Sequence, residues 1–296
     1  MRSLLKKGAT YTSQALKKIS HHLDEYVNVS KFFFMHIPKT GGTSVKSAFR
    51  KNREISTEGW VDAKETRRMM EGAAGENLCN SEYLREVFKL RQAIAVRKMR
   101  KGKSFVVGHI PVTKNMIESF PEYRFFTIIR DPVERWVSEY RFGYEIGSLE
   151  SFIGHEPPKH PIDGVEMALN SEEGGRYSRN MYTCYFSGFG WQSEFRSSKA
   201  RMLAKSNVKK FDAIFKIKNM KHIEQYVQKN NVKIEIGEKK NITSYTDNKS
   251  KELNKYMKKE SVKNKIYEKL MKMSTFMSMR GEILIHRSAS VDVGSE

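Results

Sequence analysis

KFFFMHIPKTGGTS, residues 31–44, joins a strand to a helix through a turn that holds one lysine and two glycines. The aromatic-rich run from Lys31 to Ile37 has the composition of a buried strand, and Pro38 ends it. Lys39, Gly41 and Gly42 fall in the turn, and Thr43 and Ser44 open a helix expected to end near Asn52. Such a turn is suited to an anion. Glycines let backbone N–H groups approach it, the helix start offers unpaired donors, and the lysine adds a full charge. The order of residues departs from the Walker A loop, G-x-x-x-x-G-K-[ST], because Lys39 precedes both glycines. That departure argues against an ordinary ATPase or kinase.

The rest of the chain frames this stretch with alternating strands and helices. Residues 1–29 read as a basic amphipathic extension, with Leu16, Ile19 and Leu23 at helical spacing, which packs on the body, frays or lies on a membrane surface. One domain, residues 30–296, follows it. Residues 53–80 are polar and glycine-containing and read as an insertion or mobile loop. A helix is expected over 81–100, with Tyr83, Val87, Leu90 and Ile94 along its apolar stripe. Strands are expected at Ser104–Val107, Arg124–Ile129 and Ala213–Ile217. Pro132 opens a helix for which Asp131 is the N-cap and Glu134 the capping-box partner. Residues 145–175 read as a loop, and a Lys-rich helical tail runs over 249–279. This alternation predicts an α/β fold with a central, mostly parallel sheet flanked by helices.

The totals narrow the partners without choosing one. Lys and Arg number 54 against 34 Asp and Glu, a net charge of +20 that draws polyanions such as nucleic acid, anionic membranes, nucleotide phosphates or acidic sugars. No recognised nucleic-acid module accompanies that charge, and the lysines are spread along helices. The two cysteines, Cys79 and Cys184, imply no disulfide framework and have no metal-ligand spacing; whether they pair is left open. No run approaches the ~20 apolar residues of a membrane span. The start lacks the apolar segment of a signal peptide, so a cytoplasmic location is the expectation.

A second motif turns the phosphate loop into a family resemblance. YRFFTIIRDPVERWVSEYRFGY, residues 123–144, places Arg130 at a strand end and Ser138 eight positions later in the following helix. HIPKTGGTS resembles the 5′-phosphosulfate-binding loop of the carbohydrate sulfotransferases, the Golgi-type family of heparan sulfate and chondroitin sulfotransferases and their bacterial relatives. Residues 123–144 resemble that family's 3′-phosphate-binding element. The resemblance implies a P-loop-type three-layer fold. It also implies 3′-phosphoadenosine 5′-phosphosulfate (PAPS) as co-substrate, without a metal, and a carbohydrate or glycan acceptor, acidic or neutral. Arg130 and Ser138 are then expected to hold the 3′-phosphate. Lys39, Thr40, Gly41, Gly42, Thr43 and Ser44 would hold the 5′-phosphosulfate, with Lys39 also stabilising charge on the bridging oxygen.

SFVVGHIP, residues 104–111, supplies the base in this reading: His109 follows a strand directly, as a catalytic histidine does in family members acting on sugar hydroxyls. His36 is the rival, read mainly as a structural residue that orients the loop. Trp136 and Tyr140, four apart, read as core rather than as an adenine platform. The segments 175–188, 211–227, 238–245 and 263–270 extend the resemblance more loosely, to about residues 30–280. Eukaryotic members usually begin with a membrane anchor, and this sequence begins without one; a Golgi location would require its removal. Arg67, Arg68, Arg85 and Arg91 are candidates for binding an acidic glycan or for a solvated face, and His155 and His160 for loop residues. A nucleotide-dependent kinase and a non-catalytic nucleic-acid-binding protein are the alternative functions.

Overall fold

The computed structural model describes residues 30–52, 55, 59–74, 80–150, 156, 158–171, 174–188, 198–237 and 248–273. The expected helix over 1–29, Cys79, His155 and residues 238–245 lie outside the described residues.

Four strands form one parallel sheet in the order β2-β1-β3-β4: β1 (Lys31–Met35), β2 (Phe105–Gly108), β3 (Tyr123–Ile129) and β4 (Ala213–Lys216). Phe33 of β1 sits between Val106 of β2 and Phe125 of β3, and Thr127 Oγ1 donates 2.6 Å to the Met35 carbonyl across the β1–β3 pair. The runs FFFM, FVV and YRFFTII are buried almost throughout, the mark of strands covered on both faces.

Side-chain alternation divides the core into two layers. Phe33, Met35, Val106 and Phe125 face four helices: α3 (Asn80–Arg100), α4 (Lys114–Ser119), α7 (Gly174–Ser187) and α8 (Ser198–Val208). Phe32, Phe34, Phe105, Phe126 and Phe215 face α1 (Gly42–Lys51) and α9 (Met220–Gln228). Phe49 of α1 lies flat on Phe105, with ring centroids 3.8 Å apart and planes 4° from parallel. A third cluster joins α5 (Pro132–Glu145) to α6 (Asp163–Asn170), α10 (Asn248–Met257) and α11 (Glu260–Met273). In it Trp136 stacks on Tyr140 at 5.4 Å with both side chains fully buried, so these two are core, as the sequence suggests.

Four expectations need correction. Residues 53–80 are not simply an insertion. Trp60 forms a parallel bridge to Val107, the Val61 amide donates to the Val107 carbonyl at 2.9 Å, and α2 (Ala63–Ala74) follows. Asp62 caps α2 by accepting from the amides of Lys64 and Glu65 at 2.7 and 2.9 Å. Residues 145–175 contain α6, a short helix whose Val165, Ala168 and Leu169 are buried. The buried stripe of α3 is Val87, Phe88, Arg91, Ala95 and Met99, one position from the expected centre, and it includes an arginine. The tail is two helices: Leu253 and Met257 keep one helical phase and Val262, Ile266 and Leu270 another, so a turn at Lys258–Lys259 resets the buried face.

The Phe49–Phe105 contact gives a direct test of the inner layer. Phe49→Ala removes a fully buried ring and should cost about 3–5 kcal/mol of unfolding free energy, read from urea or guanidinium transitions. A loss below about 1 kcal/mol would contradict this packing.

Candidate active site

In a parallel sheet all strands end at the same edge, and every motif singled out in the sequence begins at such an end. The loop His36–Gly41 leaves β1, His109 follows β2 immediately and Arg130 follows β3 immediately. The neighbours of the central strand are β2 and β3, so the three segments are adjacent. Open α/β sheets bind ligands at this edge.

The loop is shaped by backbone demands. Lys39 has φ 64° and Gly41 φ 85°, two left-handed residues within three, and Lys39 adopts that conformation without a glycine's freedom. Thr40 is fully buried and turns its hydroxyl inward to donate 2.8 Å to the Ile37 carbonyl, closing the turn. Thr40 therefore offers the site its backbone, whereas Thr43 is exposed and Ser44 buried. At Gly42 a β-carbon would stand 2.1 Å from Cδ2 of His36, so only glycine fits against that ring. Gly41 caps helix α1 without any side-chain hydrogen bond; the Ser44 amide turns back to the Gly41 carbonyl at 3.3 Å, and the amides of Gly42 and Thr43 before it suit an external acceptor. Helix α5 differs: the Asp131 carboxylate accepts from the amides of Val133 and Glu134 at 3.0 and 3.2 Å, so its own side chain fills that end. Glu134 departs from the expected capping box, its carboxylate lying 3.4 Å from Arg130 Nε.

His36 and His109 face each other with ring centroids 4.4 Å apart. His36 is stacked on Phe34 at 5.7 Å and pressed against Gly42, which makes it the orienting residue of the loop. Burial, then the neighbouring His109 and Lys46, keep its imidazole well below the usual histidine range. Nδ1 of His109 lies 2.7 Å from the His36 carbonyl oxygen. A carbonyl only accepts, so Nδ1 carries the proton and Nε2 of the neutral ring keeps a lone pair. Burial pushes the His109 pKa down to about 4, against the opposing effect of that hydrogen bond.

Lys39 brings the two motifs together. Its ammonium lies 3.8 Å from the centroid of the Phe142 ring on α5, one turn beyond Ser138. Burial lowers its pKa; Glu139 and Glu145 oppose the shift, and Arg130 and Arg141 add to it. Lys39 and Arg130 thus lie within one another's field at the ends of adjacent strands. Ser138 is partly exposed on the same helix.

Several contributors were missed or misread at the level of sequence. Arg91 is not a glycan-binding arginine: it is buried, with Nε donating to Thr66 Oγ1 at 2.9 Å, Nη2 to the Ala63 carbonyl at 3.1 Å and Nη1 to the His109 carbonyl at 3.4 Å. Its position four residues after Val87 and four before Ala95 was the available signal. Arg85 pairs with Glu86 at 3.0 Å, while Arg67 and Arg68 are exposed on α2. Lys46 stands 4.2 Å from the centroid of Trp60, beside the histidine pair. His160 contacts Glu252 at 3.1 Å. Among the described residues no group of three or more His, Cys, Asp or Glu could hold a metal ion, and no helix is long and apolar enough to cross a membrane.

No curated protein matches the chain. A family model described as the sulfotransferase family matches residues 26–279, a span that takes in all four strands, the loop after β1, His109 and Arg130. With most of its length matched, and with the loop and both motifs assembled on one edge of a parallel sheet, the chain belongs to the sulfotransferase family and is an enzyme that takes its sulfuryl group from PAPS.

Proposed function

We propose that this edge of the sheet is the catalytic centre of a P-loop-type sulfotransferase acting on a carbohydrate hydroxyl, with His109 as base and Lys39 as the charge-stabilising cation. The convergence of the loop after β1, His109 after β2 and Arg130 after β3 carries this reading. PAPS has two anionic ends. In this reading the 5′-phosphosulfate is bound by Lys39 and the backbone and hydroxyl donors from Thr40 to Ser44, including Gly41, Gly42 and Thr43 at the open start of α1. The 3′-phosphate is bound by Arg130, whose planar fork suits phosphate oxygens, and by Ser138, whose hydroxyl is a short donor.

The chemistry follows from the tautomer. The acceptor oxygen attacks sulfur in line, an O–S bond forms and the bridging S–O bond breaks. The hydroxyl proton passes to Nε2 of His109, the nitrogen left as acceptor by the Nδ1 bond to His36. Lys39 neutralises charge gathering on the bridging oxygen, and 3′-phosphoadenosine 5′-phosphate leaves. This scheme requires positioning, charge and a base, and calls for no metal. Exposed Arg67 and Arg68, on the helix that Arg91 ties to His109, are the cations this reading offers to an acidic acceptor.

Calorimetric titration with 3′-phosphoadenosine 5′-phosphate tests the donor site. The parent should bind without added metal, and Arg130→Ala should lose at least about tenfold in affinity. A folded parent that does not bind would overturn the reading.

His109→Gln should lower kcat by about 10²–10⁴-fold with product affinity retained, and Lys39→Ala should lower it by about 10²–10³-fold. In the ligand-free protein the His109 ring should remain neutral down to about pH 4, observed by NMR titration of its ring nitrogens. A midpoint near 6.5, the ordinary histidine value, would contradict its burial. The sign for stability follows: the unfolded chain takes up this proton near pH 6.5 and the folded chain only near 4, so acidification across that window favours unfolding.

A further inference from the structure

β3 ends its pairing at Ile129, opposite Lys216 of β4, and Arg130 lies one residue beyond. Its backbone amide and carbonyl therefore fall outside the sheet ladder, at the point where the chain must aim a guanidinium into the site. Tyr182, on α7, takes over there. The Arg130 amide donates to the Tyr182 hydroxyl oxygen at 3.0 Å, and that hydroxyl donates to the Arg130 carbonyl at 2.6 Å. A single phenol thus satisfies both backbone groups of one residue and fixes the peptide planes on either side of its α-carbon.

The phenol is itself held. Its side chain is almost fully buried, and the guanidinium of Arg135, one turn into α5, lies 5.8 Å from the ring centroid. Arg135 is bonded in turn to Glu139 and to the Met181 sulfur at 3.3 Å. Burial raises the Tyr182 pKa to about 12, so the hydroxyl keeps the proton it donates.

We infer that Tyr182 is a positioning residue for donor recognition: its hydroxyl, bridging the amide and carbonyl of Arg130, sets the direction in which the arginine meets the 3′-phosphate. This rests on the reading of Arg130 as the 3′-phosphate arginine. The same contact makes α7 part of the donor site, although no side chain of that helix need touch the nucleotide.

The test uses two ligands that differ only at the 3′ position: 3′-phosphoadenosine 5′-phosphate, and adenosine 5′-phosphate, which has no 3′-phosphate. Calorimetry would be run on the parent, Tyr182→Phe, Arg130→Ala and the double variant, with thermal melting to confirm folding. Tyr182→Phe should weaken 3′-phosphoadenosine 5′-phosphate about tenfold and leave adenosine 5′-phosphate within about twofold. It should add nothing to Arg130→Ala, since the two changes act through one contact. Equal losses for both ligands, as general loosening of the fold would give, would overturn the inference. So would an unchanged affinity for 3′-phosphoadenosine 5′-phosphate, or fully additive losses in the double variant. An Arg130→Ala variant that binds both ligands like the parent would remove the 3′-phosphate reading itself, and this inference with it. A measurement on the parent alone gives an independent check: the Arg130 amide, though beyond the strand, should be protected from hydrogen exchange, and rapid exchange would count against the bridge.

Discussion

A hydrogen bond of 2.7 Å between Nδ1 of His109 and the carbonyl of His36 ties the end of β2 to the loop that leaves β1. It is possible because the two strands are paired in parallel with Met35 opposite Gly108, so that each chain passes the sheet edge at the same level. The His36 amide completes the link by donating to the Gly108 carbonyl at 3.0 Å. With its carbonyl committed to His109, His36 directs its ring against Gly42 and onto Phe34. One bond thus fixes a tautomer, a loop conformation and the identity of the residue that starts α1.

The two ends of the site are built from different materials. Helix α1 begins without a side-chain cap, and its positive end is available together with the Lys39 ammonium. Helix α5 begins under the Asp131 carboxylate, so its dipole is answered internally and the positive charge at that strand end is the Arg130 side chain's own, held 3.4 Å from Glu134. In the proposed reading, a donor with two unlike anionic groups meets backbone donors at one end and a guanidinium fork at the other. Such a division also orients the donor, because the two ends of the site are not interchangeable.

The legible parts of the sequence were those whose physics is local. The strand, turn and helix of residues 31–44 announce themselves by composition, and the Asp131-Pro132 start of α5 by its cap. The parallel sheet followed from alternation. Helix α2 was missed because it buries little apolar surface; Arg91 grips it from α3 through Thr66 and Ala63, a contact between positions 25 to 28 residues apart that composition does not encode. Helix α6 was hidden by its length and by the Gly, Pro and His around it. Tyr182 lies in the loosely matching segment 175–188, and its partner depended on where β3 stops relative to α7. Lys39, His109 and Arg130 sit beyond strand ends, as the sequence predicts, but the inward turn of Thr40 and the structural duty of Arg91 needed side-chain geometry.

The order β2-β1-β3-β4 also bears on how this protein comes into being. The first strand synthesised ends in the middle of the sheet and must wait for both of its neighbours. The Thr127 hydroxyl that reaches Met35 closes a loop of 92 residues, and the His109–His36 bond closes one of 73. Contacts that far apart along the chain form late and together, after the entropy of long closures has been met. A nascent chain released before β3 has emerged holds the whole loop after β1 yet can pair β1 only with β2, so one side of the central strand stays open. The central pairing therefore brings the loop after β1, His109 and Arg130 together in one step, and partial unfolding of that pairing separates all three.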